Sequence, residues 1–263
     1  MPALDLPTPG DNVASDDHRL AEWSATVAGE RLQQLRGRGL EGKELKSAGD
    51  QLGHEILMQL LSTYRPDDAV LSEEGRDDKR RLQSDRVWIV DPLDGTREYS
   101  EPPRDDWAVH VALWQDGDLV AGAVAQPGMA TTFSTAAPPS VPKSTAAKPR
   151  IAVSRTRPPT FVEALAEHLD AELVPMGSAG AKVISVVRDV TDAYVHAGGQ
   201  YEWDSAAPVV VARAAGLHTS RADGAALAYN QDDVLLPDLL VCRPELSDPI
   251  TQFVRGYWAE HGQ

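Results

Sequence analysis

One segment limits this chain more than any other: Val87-Trp88-Ile89-Val90, running straight into Asp91-Pro92-Leu93-Asp94-Gly95-Thr96. Four consecutive apolar residues, β-branched and aromatic, read as a strand buried on both faces, which needs a layer on either side. That strand delivers two aspartates, three apart, at its C-terminal end. Pro92 and Gly95 force a turn, so both carboxylates can face one point. Carboxylates that close repel one another unless a cation sits between them. Hard oxygen ligands of this kind suit Mg²⁺ or Mn²⁺ rather than zinc. Gly95 and Thr96 are expected to open a short helix, and helix N-termini favour phosphate. The same residues would also serve as a plain solvated turn, so this segment alone does not decide.

The rest of the chain supplies the layers. Residues 1–17 are rich in Pro and Asp and read as poorly ordered. From His18, Leu20, Trp23, Val27, Leu32 and Leu35 recur at helical spacing until Gly37 and Gly39. A second helix is expected to open at Asp50, carry Leu52, Ile56, Leu57, Leu60, Leu61 and Tyr64, and stop at Pro66. Short strands are expected at Ala69–Leu71, Trp107–Trp114, Leu119–Ala125 and Thr131–Thr135, with a hairpin at Gln115-Asp116-Gly117-Asp118. Residues 136–149 hold Pro138, Pro139, Pro142 and Pro149 and read as a linker. Strand and helix then alternate: strands at Ile151–Ser154, Glu172–Pro175, Asp192–His196 and Leu239–Cys242, helices at Thr160–Leu169, Ser178–Val190, Asp204–Ala215 and from Ser247 to about Glu260. The expected division is an N-terminal α+β half, 1–148, and a C-terminal α/β half, 149–263.

Charge excludes some function classes. With 25 Lys+Arg against 40 Asp+Glu the formal net charge is −15, unsuited to wrapping nucleic acid or lying on an anionic membrane. A small anionic substrate is still admissible if divalent cations stand between it and the carboxylates. The lone cysteine, Cys242, excludes a disulfide framework and a multi-cysteine zinc site, and fits a cytoplasmic location. No signal-type h-region or membrane span is expected.

Two further acidic sites stand at element edges. Glu73-Glu74 follows the short strand and precedes Gly75, and Tyr201-Glu202-Trp203-Asp204 opens a helix with Asp204 placed as N-cap. Each alone is as easily a solvated pair or a simple cap. Together, Ser72-Glu73-Glu74, Asp91-Pro-Leu-Asp94-Gly-Thr96 and Trp203-Asp204-Ser-Ala-Ala resemble the signatures of the inositol monophosphatase superfamily, the Mg²⁺-dependent, lithium-sensitive phosphatases. A haloacid-dehalogenase-type site is disfavoured, because the position two before Asp94 is Pro92 and not a nucleophilic aspartate.

The resemblance runs over nearly the whole chain and implies a layered αβαβα sandwich of the inositol monophosphatase and fructose-1,6-bisphosphatase type. It implies Glu73, Asp91, the Leu93 carbonyl, Asp94 and Asp204 as ligands of two or three Mg²⁺ ions, with Mn²⁺ an admissible substitute. It implies Glu74 as the acid orienting a water, and Thr96 paired with Asp50 as a catalytic dyad. Ser72 departs from the family's usual Gly, and Pro208 from a usual Gly after the third motif.

Ile89 to Tyr99, Gly177-Ser178-Ala179-Gly-Ala-Lys182 and His196 to Pro208 are most similar to the bacterial CysQ branch, in which Glu98 replaces a usual Asn. That likeness implies removal of the 3′-phosphate of 3′-phosphoadenosine 5′-phosphate to give AMP in sulfur assimilation. Inositol-1-phosphatase, fructose-1,6-bisphosphatase or a broad enzyme serving all three is the alternative, and a silent binding protein on the same fold is a third. Substrate contacts are expected from Gly95, Thr96, Gly177, Ser178, Ala179, Lys182, His196 and Arg155. Asp105 and Asp106 read as solvated loop residues. The partner is a small phosphate ester, with no nucleic acid or membrane. Oligomeric state is open, a homodimer included.

Overall fold

The computed structural model describes residues 4–262. Its N-terminal part holds α1 (Asp11–Ala14), α2 (Asp17–Arg36) and α3 (Gly42–Tyr64). Part of the segment expected to be loose is therefore helical: Asp16 caps α2, its carboxylate accepting the Arg19 N–H at 3.1 Å. Even Leu4 is tied down, exchanging 2.7 and 2.8 Å hydrogen bonds with the Gln59 side chain. The second long helix begins at Gly42, not Asp50. Leu45 already buries its side chain in the first turn, which places Asp50 in the third turn.

The first sheet contains β1 (Ala69–Ser72), β2 (Arg86–Asp94), β3 (Ala108–Gln115), β4 (Asp118–Gln126) and β5 (Thr131–Ser134), in that spatial order, with α4 (Thr96–Tyr99) between β2 and β3. Only the β1–β2 pair is parallel. Every residue of β2 after Arg86 is buried. Trp88 and Val90 pack with Leu20, Leu32, Ile56 and Leu57 of α2 and α3, while Val87 and Ile89 belong to a core on the opposite face. The period of two thus assigns one strand to two layers. The Asp116-Gly117 turn closes the β3–β4 hairpin with both residues at positive φ, 50° and 99°, as the Asp-Gly pair implies.

The second sheet is built from β6 (Arg150–Ser154), β7 (Glu172–Met176), β8 (Ala193–Tyr201), β9 (His218–Ser220) and β10 (Leu235–Cys242), in the order β7-β6-β8-β10-β9. Its helices are α5 (Val162–Leu169), α6 (Ala179–Val187), α7 (Glu202–Ala214) and α8 (Ser247–His261). Helices α6 and α7 lie between the sheets: Val183, Ile184, Ala206 and Val210 share one core with Val87 and Ile89 on one side and Leu239 and Val241 on the other. The alternate residues Leu240 and Cys242 face Phe161, Leu165, Ile250 and Val254 of the outer layer. The layers run α2/α3, first sheet, α6/α7, second sheet, α5/α8, the expected αβαβα sandwich.

Segment 136–149 carries no helix or strand, yet Val141 packs on the central core and the Pro142 carbonyl accepts from Arg243. It is a strap laid over the molecule. β8 and β10 run longer than expected, because their hairpin-like pairing continues from Ala193–Cys242 to Tyr201–Leu235. β9, with three residues, is too short to register in the sequence.

Candidate active site

Two glycines one helical turn apart set the first contact. A methyl group on Gly49 would come within 2.7 Å of the Tyr99 ring, and one on Gly53 within 2.8 Å of the Pro92 carbonyl oxygen. Their absence lets α3 lie directly on the Asp91-to-Asp94 turn. Asp50, between them, therefore reaches Thr96: Thr96 Oγ1 lies 3.3 Å from Asp50 Oδ1 and 3.1 Å from the Leu93 carbonyl, two acceptors for its one proton. The turn itself follows from β2 leaving its ladder. Pairing with β3 slips between Asp91 and Asp94, Pro92 has no N–H to contribute, and Asp91 Oδ1 accepts the Leu93 N–H at 3.0 Å. Gly95, at φ 82°, takes the left-handed conformation needed to enter α4.

Asp204 arrives from the other half of the chain. It is the third residue of α7 rather than its cap; Tyr201 ends β8, and the Asp204 carboxylate reaches back to accept the Tyr201 N–H at 2.6 Å. An acidic residue at that position can satisfy a helix end as well as a cap can. Carboxylate oxygens of Asp91, Asp94 and Asp204 all lie within 4.8 Å of one another. Asp91 and Asp94 are buried, and Asp204 is half-buried.

The electrostatics are those of a crowded anionic cluster. Burial, then Glu73, Asp94 and Asp204, push Asp91 well above the ordinary carboxylate range. Asp204 is raised to about 6 by burial and Asp94. Much of Glu73 is exposed, but its carboxyl packs against the cluster and hydrogen-bonds with Asp91; desolvation there, with Asp204, Glu74 and Asp94 nearby, brings it to about 7. Crowded carboxyl groups raised in this way are what a cation site looks like to its own ligands. Asp94 is the exception. Burial works to raise it, but His110, Ser178 and the Gly180 N–H hold it at about 2. The Ala179 and Gly180 amides donate to its two oxygens at 3.1 and 2.6 Å.

His110 was not legible as a site residue. It is fully buried, with Nε2 3.2 Å from Asp94 Oδ2, outside linear hydrogen-bond geometry, and Nδ1 3.1 Å from the Trp203 carbonyl. Burial works to lower it, yet Asp94 and the Trp203 carbonyl leave it raised. The available signal was a titratable residue inside the apolar run Val109-His110-Val111. Asp106 is not a solvated loop residue either: it accepts the Gly177 N–H at 2.6 Å and pairs with Arg104.

The cluster opens into a cavity of about 1090 Å³ lined by Asp94, Gly95, Thr96, Gly177, Ser178, Ala179, Lys182, His196 and Arg155, among others. These sequence-assigned residues are thus brought to one space, but two of the cations are already engaged. Lys182 is buried, its Nζ donating to the Gly177 and Ser178 carbonyls above the Tyr194 ring. Arg155 pairs with Glu98 at 2.7 Å and Glu101 at 2.8 Å. His196 Nε2 donates to the Gly198 carbonyl, 2.8 Å away, and burial drops it to about 4, leaving it neutral. Phe161, Tyr257 and Trp258 form an aromatic part of the wall that no motif announced.

The inositol monophosphatase family model matches residues 17–254. The chain belongs to the inositol monophosphatase family. It is 48% identical over 245 residues to the 3'-phosphoadenosine 5'-phosphate phosphatase of Mycobacterium bovis, covering 88% of this chain and 90% of that protein. It is 32% identical over 205 residues to the Escherichia coli 3'(2'),5'-bisphosphate nucleotidase CysQ, covering 72% of this chain and 81% of that protein. Among solved structures, CysQ from Bacteroides thetaiotaomicron superposes with a TM-score of 0.72 at 25% identity, over 85% of this chain and 96% of that one. The acidic cluster suits the metal dependence of this family: every side-chain donor is a hard oxygen, and the crowding of like charge that raises Asp91 marks where positive charge is wanting.

Proposed function

We propose that the chain is a Mg²⁺-dependent phosphomonoesterase that removes the 3′-phosphate of 3′-phosphoadenosine 5′-phosphate, giving AMP and inorganic phosphate in sulfur assimilation. One observation carries this reading: carboxylates from β2 and α7, distant in sequence, meet within 4.8 Å at the floor of a cavity about 1090 Å³ in volume. The names of the relatives at 48% and 32% identity support the nucleotide as substrate. So does the cavity wall, where Tyr257 and Trp258 offer an apolar surface for a base and Arg157 offers charge for a second phosphate. A single-ring monophosphate would use neither.

Glu73, Asp91, the Leu93 carbonyl, Asp94 and Asp204 would hold the cations. Bound there, divalent ions would neutralise phosphoryl oxygens and make water a better nucleophile near neutral pH. The protein supplies position and a proton path. Thr96 Oγ1 shares its proton with Asp50, so its oxygen can accept from an attacking water held beside Glu74. Asp50, raised to about 6 by burial and Glu74, is ionised at neutral pH and close enough to ordinary cellular pH to take that proton. The new O–P bond forms as the P–O3′ bond breaks, and the leaving alkoxide takes a proton from solvent water to become the 3′-hydroxyl. Positioning and charge neutralisation carry most of the rate in such transfers. A cytoplasmic location belongs to the same reading, in keeping with the buried free thiol of Cys242.

The test is kcat/KM on 3′-phosphoadenosine 5′-phosphate, inositol 1-phosphate and fructose 1,6-bisphosphate, with Mg²⁺ and with excess EDTA. The nucleotide should be preferred, and EDTA should abolish turnover. A clear preference for inositol 1-phosphate overturns the substrate assignment, and full turnover in EDTA overturns the mechanism.

A further inference from the structure

Arg81 is one of the largest fully buried side chains in the protein, and its guanidinium is 0% exposed. It does not touch the cavity. A buried guanidinium is costly unless every donor is met, and here the partners come from two distant parts of the chain. Nε and Nη2 grip Asp77 at 2.7 and 3.1 Å, Nη1 donates to Asn230 Oδ1 at 2.7 Å, and Nη2 also donates to the Gln231 carbonyl at 2.8 Å. The Asn230 side-chain amide returns a 3.3 Å bond to the Arg81 carbonyl.

What lies on either side of this clasp gives it meaning. Asp77 is four residues beyond Glu73, just past the Glu73-Glu74-Gly75 turn. On the other side, the Asn230 and Gln231 N–H groups both donate, at 2.7 Å, to the buried carboxylate of Glu202. Glu202 is the first residue of α7 and stands two before Asp204. Lys79 makes a second, exposed stitch from the same 3₁₀ turn to Asp77 and Asp232. A continuous chain of hydrogen bonds therefore runs from the loop bearing Glu73 to the helix end bearing Asp204, and bypasses the cluster itself. Both ends carry like charges that repel across the site, so something else must hold them together.

We propose that Arg81 is a positioning residue for the cation site: with Asp77, Asn230 and Glu202 it fixes the spacing between the Glu73 loop and the Asp204 end of α7. This rests on the reading of that cluster as a divalent-cation site. Loosening the clasp should weaken cation capture more than it weakens the fold or the contacts to substrate.

Asn230 offers a gentle probe. It sits at φ 59°, so Asn230→Gly keeps the left-handed backbone while deleting the Oδ1 partner of Arg81. The experiment compares the parent, Asn230→Gly, Arg81→Lys and a control, Arg243→Lys. Arg243 is another buried arginine, held by Asp189 and Asp192 at 2.6 and 2.8 Å. Each is titrated with Mg²⁺ alone by isothermal calorimetry and by the rise in Tm, and the Mg²⁺ dependence of phosphate release is measured beside KM for the nucleotide at saturating Mg²⁺. Expected are about a tenfold loss of Mg²⁺ affinity in Asn230→Gly and Arg81→Lys, KM within twofold of the parent, and no change of Mg²⁺ affinity in the control. The proposal is overturned if Asn230→Gly binds Mg²⁺ within twofold of the parent, or if the control loses as much. Should Arg81→Lys not fold, Asn230→Gly decides. A parent protein that fails to bind Mg²⁺ would overturn the metal reading and this role with it. Parent binding with unchanged variants would overturn this role alone.

Discussion

At the scale of residues, the site works by giving similar carboxyl groups different protonation states. Asp91, Asp94 and Asp204 crowd one point, yet Asp94 stays ionised because α6 turns two amides to it and His110 stands beside it, whereas burial and like charge raise the other two. Asp50 lies outside this trio and is bonded to Thr96, so its substitution leaves the three carboxylates in place. Asp50→Asn keeps the shape and still accepts a bond from Thr96, but cannot take a proton. General-base contributions run from about a hundredfold to ten-thousandfold. We therefore expect kcat to fall by at least about a hundredfold, with Tm and Mg²⁺ affinity near those of the parent. In the parent, activity should rise with pH through about 6, the value to which burial brings Asp50, and that limb should vanish in the variant. A variant with full kcat and an unaltered pH profile would remove Asp50 from the reaction.

At the scale of elements, the decisive contact is the close seat of α3 on the β2 turn. Gly53→Ala places a methyl carbon 2.8 Å from the Pro92 carbonyl oxygen, a backbone atom that cannot swing away. Overpacking of this sort costs about 1–3 kcal/mol. The helix should ride outward and carry Asp50 from Thr96, lowering both Tm and kcat; thermal melts and steady-state rates would check both, and an unaffected rate would mean that the dyad tolerates the shift. This contact also explains what was and was not legible. The strand Val87–Val90 and the turn after it are local patterns, so the sequence specifies them strongly. The sequence pattern puts Asp50 at a helix start because the evident apolar run begins at Leu52, but Leu45 extends the same face two turns further. Asp204 reads as a cap in the sequence because caps and third-position acids share a chemistry. His110 shows only as a polar residue in an apolar run, and neither Asp106 nor the Arg81 clasp has a local pattern that points to the site. Their partners lie 93, 71 and 149 residues away, and only the layered fold brings them within reach.

At the scale of the whole molecule, the fold holds an electrostatic debt that its cation should relieve. Two sheets and the helices between them bring Glu73, Asp91 and Asp204 together, and all three acids are raised relative to an unfolded chain. The sign of the linkage follows. An acid with a raised folded pKa keeps more protons folded than unfolded, so its contribution to stability is present at low pH and is lost as pH climbs from about 4 through 6 to 7. Protons and Mg²⁺ compete for the same oxygens, hence Mg²⁺ should stabilise the protein more at pH 8 than at pH 5.5. A ligand at a hundred times its Kd stabilises by about 2.7 kcal/mol, and for a chain of this length each kcal/mol moves Tm by roughly 2–4 °C. Saturating Mg²⁺ at pH 8 should therefore raise Tm by about 5–10 °C, with a smaller rise at pH 5.5. Asp91→Asn removes the most crowded charge, and in EDTA at pH 8 it should melt at or above the parent's temperature. In Mg²⁺ it should gain little and turn over no substrate. Differential scanning fluorimetry at the two pH values, with and without Mg²⁺, separates the outcomes. If Asp91→Asn melts well below the parent in EDTA, or if the parent's Mg²⁺-induced rise is larger at pH 5.5, the carboxylates are held together for stability and not for a cation.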